Sequence, residues 1–175
     1  MRMSAAIQRL PLLLVLAALG SGCGFHLRGD IPGTAEEKTF FISGVGAGNP
    51  VYANLATLLV TSGGILASKP ADAKAIVNIL KVRHIRRPIT LSAAGRANMF
   101  DLRLLVIYEV QNPKGEILVP EKELEIRREY FNTQGSPLGQ GLEETQLRAE
   151  MEKEASQTLL RQVVFSLRDK AGKPS

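Results

Sequence analysis

The sequence predicts an α+β fold: a two-layer sandwich with two helices packed on one face of a four-stranded, mostly antiparallel sheet, in the order β-α-β-β-β-α. Three observations carry that expectation. A short apolar strand is followed by a capped helical repeat. Three long β-branched runs, separated by turn residues, come next. The chain closes on a long stripe of apolar residues at helical spacing.

Residues 1–22 open with Arg2 and Arg9, run through the apolar core LPLLLVLAALG and end on Gly20, Ser21 and Gly22, the three regions of a secretory signal peptide. The apolar run is about half of the roughly 20 residues a bilayer span needs, so it reads as an export signal and not as a permanent anchor. Directly after it stands Cys23, the only cysteine of the chain. A small-residue site ending against a cysteine is the pattern of a bacterial lipoprotein signal, in which the sulfur and then the new amino terminus carry lipid. Gly20 stands where that pattern usually has Leu, and Leu19 sits one position earlier. The alternative is ordinary secretion with an odd free thiol near the new terminus. A buried methylene contributes about 0.8 kcal/mol and stable anchoring takes two chains or more, so a lipidated Cys23 suffices as an anchor.

Removal of the signal leaves 153 residues with twenty basic and seventeen acidic side chains, a net charge near +3. That length is one domain, and it buries roughly 68–70% of its unfolded surface without disulfides or a structural metal. A pI of 9.6 in an exported chain points to anionic lipid or lipid-linked phosphate as the acidic partner and not to nucleic acid.

Residues 23–37, with Gly24, Gly29, Pro32 and Gly33 and no periodicity, read as the lipid anchor and an extended tether. A single domain is expected over 38–171, with a tail at 172–175. KTFFISGV (38–45) is the first strand. Asn49 as N-cap and Pro50 at the first helical position start a helix, and Val51, Leu55, Leu58 and Leu59 carry it to a C-cap at SGG, 62–64. AIVNILKVRHIRR (75–87) is the second strand. NMFDLRLLVIYEVQN (98–112) is the third, with Leu102, Leu104, Val106, Tyr108 and Val110 on one face and Leu105 and Ile107 on the other. The turn NPKGE leads into EILVPEKELEIRREYF (116–131), where Pro120 marks an edge or a bulge. These three runs predict an antiparallel meander. In the last segment Leu147, Met151, Ala155, Leu159 and Val163 step by four, widened by Leu160, Val164 and Leu167. Glu143 and Glu144 come early and Arg168 and Lys170 late, as a helix dipole favours.

Little in the chain suggests catalysis. It has no phosphate loop, HExxH, CxxC or GxSxG. His26 and His84 lie in unlike contexts, and His84 reads as a solvent-tipped sheet residue. Ser92 lacks an evident base, and the pairs Glu143/Glu144 and Glu152/Glu154 read as a solvated helix face. The expectation is a protein that is not an enzyme and carries no cofactor and no metal.

Positive charge is placed less evenly. Arg83, Arg86 and Arg87 crowd one strand end, Arg96 follows in the next loop, and Arg127 and Arg128 lie on a later strand. The arginine fork suits phosphate. Arg127 and Arg128 have Glu123, Glu125 and Glu129 as alternative partners, whereas no comparable acids lie near Arg83, Arg86, Arg87 and Arg96 in sequence. The cluster is expected to point outward.

CGFHLRG at 23–29 resembles the start of the LptE family of lipopolysaccharide-assembly lipoproteins, with Cys23, Gly24, Phe25, Leu27, Arg28 and Gly29 matching. The likeness continues in LSAAGRANMFDLRLLVIYEV, GEILVPEKELEIRREYFN and EETQLRAEMEKEASQTLLRQV, with Phe100 and Asp101 where relatives often have Glu and Tyr. The resemblance implies an outer-membrane lipoprotein, anchored on the periplasmic side, that plugs and helps assemble the β-barrel LptD and binds lipopolysaccharide. It places lipopolysaccharide-binding residues at Arg96 and Arg128, to which the charge pattern adds Arg86 and Arg87. Gly24 after the anchor leaves outer-membrane routing open. The rival readings are a periplasm-facing lipoprotein that binds a soluble protein or peptidoglycan, and a lipid-modifying enzyme.

Overall fold

A computed structural model describes residues 33–93, 95–131 and 137–171 of the chain. The expected signal peptide, Cys23 and the tail at 172–175 lie outside the described residues, as does most of the expected tether. Its last residues form a turn: Thr34 and Glu37 bond each other's backbone N–H groups through their side chains, and the amides of Lys38 and Thr39 donate to Thr34 and Glu36.

The elements are β1 (Thr39–Ser43), α1 (Pro50–Thr61), β2 (Ile65–Leu66), a 3-10 turn at Pro70–Asp72, β3 (Ala75–Leu91), β4 (Ala97–Gln111), β5 (Ile117–Phe131) and α2 (Pro137–Ala171). The α+β class and the two helices agree with the sequence-based expectation, but the sheet has five strands instead of four, in the order β2-β1-β3-β4-β5. The added strand is β2. After α1, Gly63 turns the chain with φ +75°, and Ile65 and Ala67 donate backbone hydrogen bonds to Lys38 and Phe40 of the β1 segment. Two residues are too few to show an alternating pattern, which is why this strand leaves no mark in the sequence. β1 runs parallel to both β2 and β3, while β3, β4 and β5 form the expected antiparallel meander.

Asn49 caps α1 as expected, its side chain accepting from the Val51 amide at 2.9 Å. Val51, Leu55 and Leu59 are buried and meet the stripe of α2, where Met151, Ala155, Leu159, Leu160, Val163 and Val164 are buried too. Both stripes join the inward residues of β1, β3, β4 and β5 in one core, so both helices lie on the same face of the sheet. Ser156, fully buried, donates to the Val51 carbonyl and ties helix to helix. The Tyr108 hydroxyl donates to Gln162 at 2.7 Å and ties α2 to β4. Burial raises the Tyr108 pKa.

Two irregularities decide which residues reach which face. Ile79 pairs with Tyr108 and Lys81 with Ile107, leaving Leu80 unpaired. This bulge reverses the alternation, so Ala75, Val77 and Ile79 face the helices before it, and Val82, His84 and Arg86 share that face after it. On β5, Val119 pairs with Val110 and Lys122 with Tyr108, so Pro120 falls in a bulge on an edge strand, as its missing N–H requires.

Candidate functional site

The arginine-rich end of β3 and the hairpin beyond it form the candidate site, and the structure divides its arginines into two groups. Arg86 and Arg128 are engaged. Arg86 Nε lies 2.9 Å from Glu144 Oε2 and donates to the Tyr130 hydroxyl at 3.0 Å, and its guanidinium covers the Phe100 ring at 3.5 Å from the ring centre. Phe100 in turn stacks on Tyr130, with centroids 5.5 Å apart. Tyr130 donates to Glu144 at 2.6 Å, and Arg148, one helical turn on, meets the same carboxylate at 2.7 Å. Burial disfavours the Glu144 charge, yet the Tyr130 hydroxyl, Arg148 and Arg86 outweigh it and hold the carboxyl below its usual range. Burial and the carboxylate beside it push the Tyr130 hydroxyl up. Arg128 pairs with Glu154, and His84 Nε2 lies 2.9 Å from Glu152.

Glu144, Glu152 and Glu154 therefore tie α2 to the sheet, where the sequence suggested only a solvated face. His84 is half-buried and held by Glu152 instead of resting in solvent. The acids that Arg86 lacks in its own neighbourhood come from a distant helix, which local sequence cannot reveal.

On the opposite face of the sheet, Asp101 is held by Arg103 Nε at 2.6 Å and Arg127 Nε at 2.7 Å. Arg127 reaches Glu129 as well, and Arg103 reaches Glu125. Burial again opposes the charge, and the two arginines lower the Asp101 pKa. Arg103, which the charge pattern did not single out, is the member that sequence reasoning missed.

Arg83, Arg87 and Arg96 make no side-chain hydrogen bond or ion pair among the described residues. For Arg87 the register supplies the reason: it pairs with Asp101, whose two oxygens are already taken by Arg103 and Arg127. Arg96 ends the tight turn of the β3–β4 hairpin, where the Ser92 amide donates to its carbonyl and Gly95, at φ +73°, donates to the Ser92 carbonyl. The hydroxyl of Ser92 accepts from the Arg96 amide, a turn contact. No cluster of three or more His, Cys, Asp or Glu side chains able to hold a metal occurs among the described residues, and no helix there is long and apolar enough to cross a membrane.

The LptE family model, described as lipopolysaccharide-assembly, matches residues 36–163, more than half of the chain. The chain belongs to the LptE family. Solved structures agree with that membership. This LptE-family chain is similar to lipoprotein B from Nitrosomonas europaea, with 26% identity over 85% of this chain and 94% of the other and a TM-score of 0.68. It shares its fold with the rare lipoprotein B from Shewanella oneidensis, at 18% identity and TM-score 0.67 over 77% and 99% of the two chains. A minor lipoprotein from Acinetobacter baumannii, at 18% identity and TM-score 0.62 over 73% and 91%, has that fold too. No curated protein matches the sequence.

Proposed function

We propose that this LptE-family lipoprotein is anchored to the outer membrane from the periplasmic side through acylated Cys23, plugs an LptD-like β-barrel in a one-to-one complex, helps assemble it, and binds lipopolysaccharide on its way to the outer leaflet. Family membership supports the assembly role, and LptE proteins are assembly lipoproteins and not enzymes. The observation that carries the binding part is that Arg87 and Arg96, on the β3–β4 hairpin, make no ion pair among the described residues. The Asp101 carboxylate across from Arg87 is already held by Arg103 and Arg127, and Arg96 makes no ion pair among the described residues. Arg86 and Arg128 contribute by a different route, since each must exchange Glu144 or Glu154 for a phosphate before binding it. A plug in a polar lumen needs a domain with a core of its own, and the two helices and the sheet here bury one continuous apolar core.

The test is an affinity pull-down of the C-terminally tagged chain from detergent-solubilised outer membranes, with mass spectrometry of partner and bait. A large β-barrel at one-to-one ratio and an acyl mass on Cys23 are expected. A lone, unacylated chain would remove both the plug and the anchor.

A further inference from the structure

Both helices lie on one face of the sheet, and on the other face the charges are sorted by strand. There β3, β4 and β5 set side chains in rows: Lys81, Ile107 and Glu123 form one row, and Arg83, Leu105 and Glu125 the next. Each row reads basic, apolar, acidic. Leu105 and Ile107 are half-buried, while the four charged side chains are exposed. Lys81, Arg83 and Glu123 make no side-chain hydrogen bond or ion pair among the described residues, and Glu125 has a contact at 3.4 Å with Arg103. Farther along the strands, Asp101 lies between Arg103 and Arg127, so its charge is met within the chain.

That layout is complementary to itself. We propose that this face docks on the same face of a second copy of the chain, about a twofold axis that runs along β4 between the two sheets. Such an axis brings β3 of each copy opposite β5 of the other. Lys81 then meets Glu123 of the second copy, Arg83 meets its Glu125, and Leu105 and Ile107 each meet their own counterparts. A twofold axis across the strands would set β3 against β3, like charge against like, so charge selects the first arrangement. Stacked sheets lie about 10 Å apart, a gap that a basic side chain and a glutamate span end to end. β4 and β5 are 15 residues long, so three strands offer roughly 700 Å² per copy at about 3.3 Å per residue and 4.8 Å per strand, near the 800 Å² or so of a stable pair. The inference goes beyond the plug reading, since it concerns the chain with no barrel around it.

The experiment uses the mature chain in detergent, free of any barrel, with light scattering of the protein component over a concentration series. The wild type is expected to dimerise. K81E combined with R83E makes both flanks acidic, and E123K combined with E125K makes both basic. Each variant alone should self-associate about tenfold more weakly or worse, and an equimolar mixture of the two should dimerise again. All four side chains are exposed, so folding is preserved, and an unchanged Tm checks this. As a second measurement, L105C lies on the axis and should be linked to its own counterpart by a short bismaleimide, whereas A53C, exposed on α1, should not. A wild type that is monomeric at every concentration, variants that dimerise as well as the wild type, or a mixture that stays monomeric overturns the inference. A monomeric wild type whose copurifying barrel is lost in the same variants gives the face to the barrel and overturns it too.

Discussion

The Arg86 guanidinium lies against the Glu144 carboxylate at 2.9 Å, joining the far end of β3 to the first half of α2. Three further groups converge on that contact: Tyr130, Arg148 and the Phe100 ring. An arginine expected to stand free for a ligand is instead part of the seam between the layers.

Removal of that carboxylate is expected to loosen the seam. E144Q leaves Arg86 and Arg148 without their counter-charge and costs about 2 kcal/mol at neutral pH, measured by urea denaturation. The folded-state pKa of Glu144 is lowered, so its stabilisation is complete above the ordinary value near 4.5 and is lost as the pH falls through the depressed folded value. The gap between wild type and E144Q should therefore narrow below about pH 4. A gap that is constant with pH would assign the cost to packing.

The arginines should separate by stability. R87A combined with R96A is expected to weaken lipopolysaccharide binding by about tenfold while Tm stays within about 1 °C, because neither side chain makes a hydrogen bond or ion pair among the described residues. R86A should lower Tm as well, since it strips the cover from Phe100 and uncouples Glu144. Binding titrations and thermal unfolding of the same preparations check both.

Asp101 makes a milder test. It lies on the helix-free face, and the arginines beside it are partly solvated, with Arg127 side-chain exposure at 50%. D101N is expected to cost about 1 kcal/mol. As the Asp101 pKa is also lowered, that cost is present above the ordinary carboxylate range and fades in acid. Denaturation at two pH values reads it.

Gly44 holds the exit from β1 at φ +89°, and a Cβ there would lie 2.1 Å from the Ile79 carbonyl oxygen. Backbone cannot yield as a flexible side chain can, so G44A is expected to cost about 3 kcal/mol. A smaller loss in urea denaturation would mean that β1 and β3 shift apart.

The sequence by itself determined the class of the fold, both helices, the meander and the inward stripe of β4, because each depends on a period of 3.6 or 2 repeated over many residues or on a local cap such as Asn49. It marked Pro120 as an edge or a bulge, because a missing N–H is a property of one residue, and the structure shows both. Only the tertiary structure decided on β2, whose two residues are held by hydrogen bonds to a strand across α1, and on the reversal of faces at Leu80, which a linear pattern reads as continuous. It also decided which arginines are engaged among the described residues. Arg86 and Arg87 are neighbours in sequence, yet they point to opposite faces of the sheet. One meets a carboxylate from a distant helix, and the other meets an aspartate already taken by two arginines. Charge acts over a few ångströms of space, and local sequence spacing does not measure that distance.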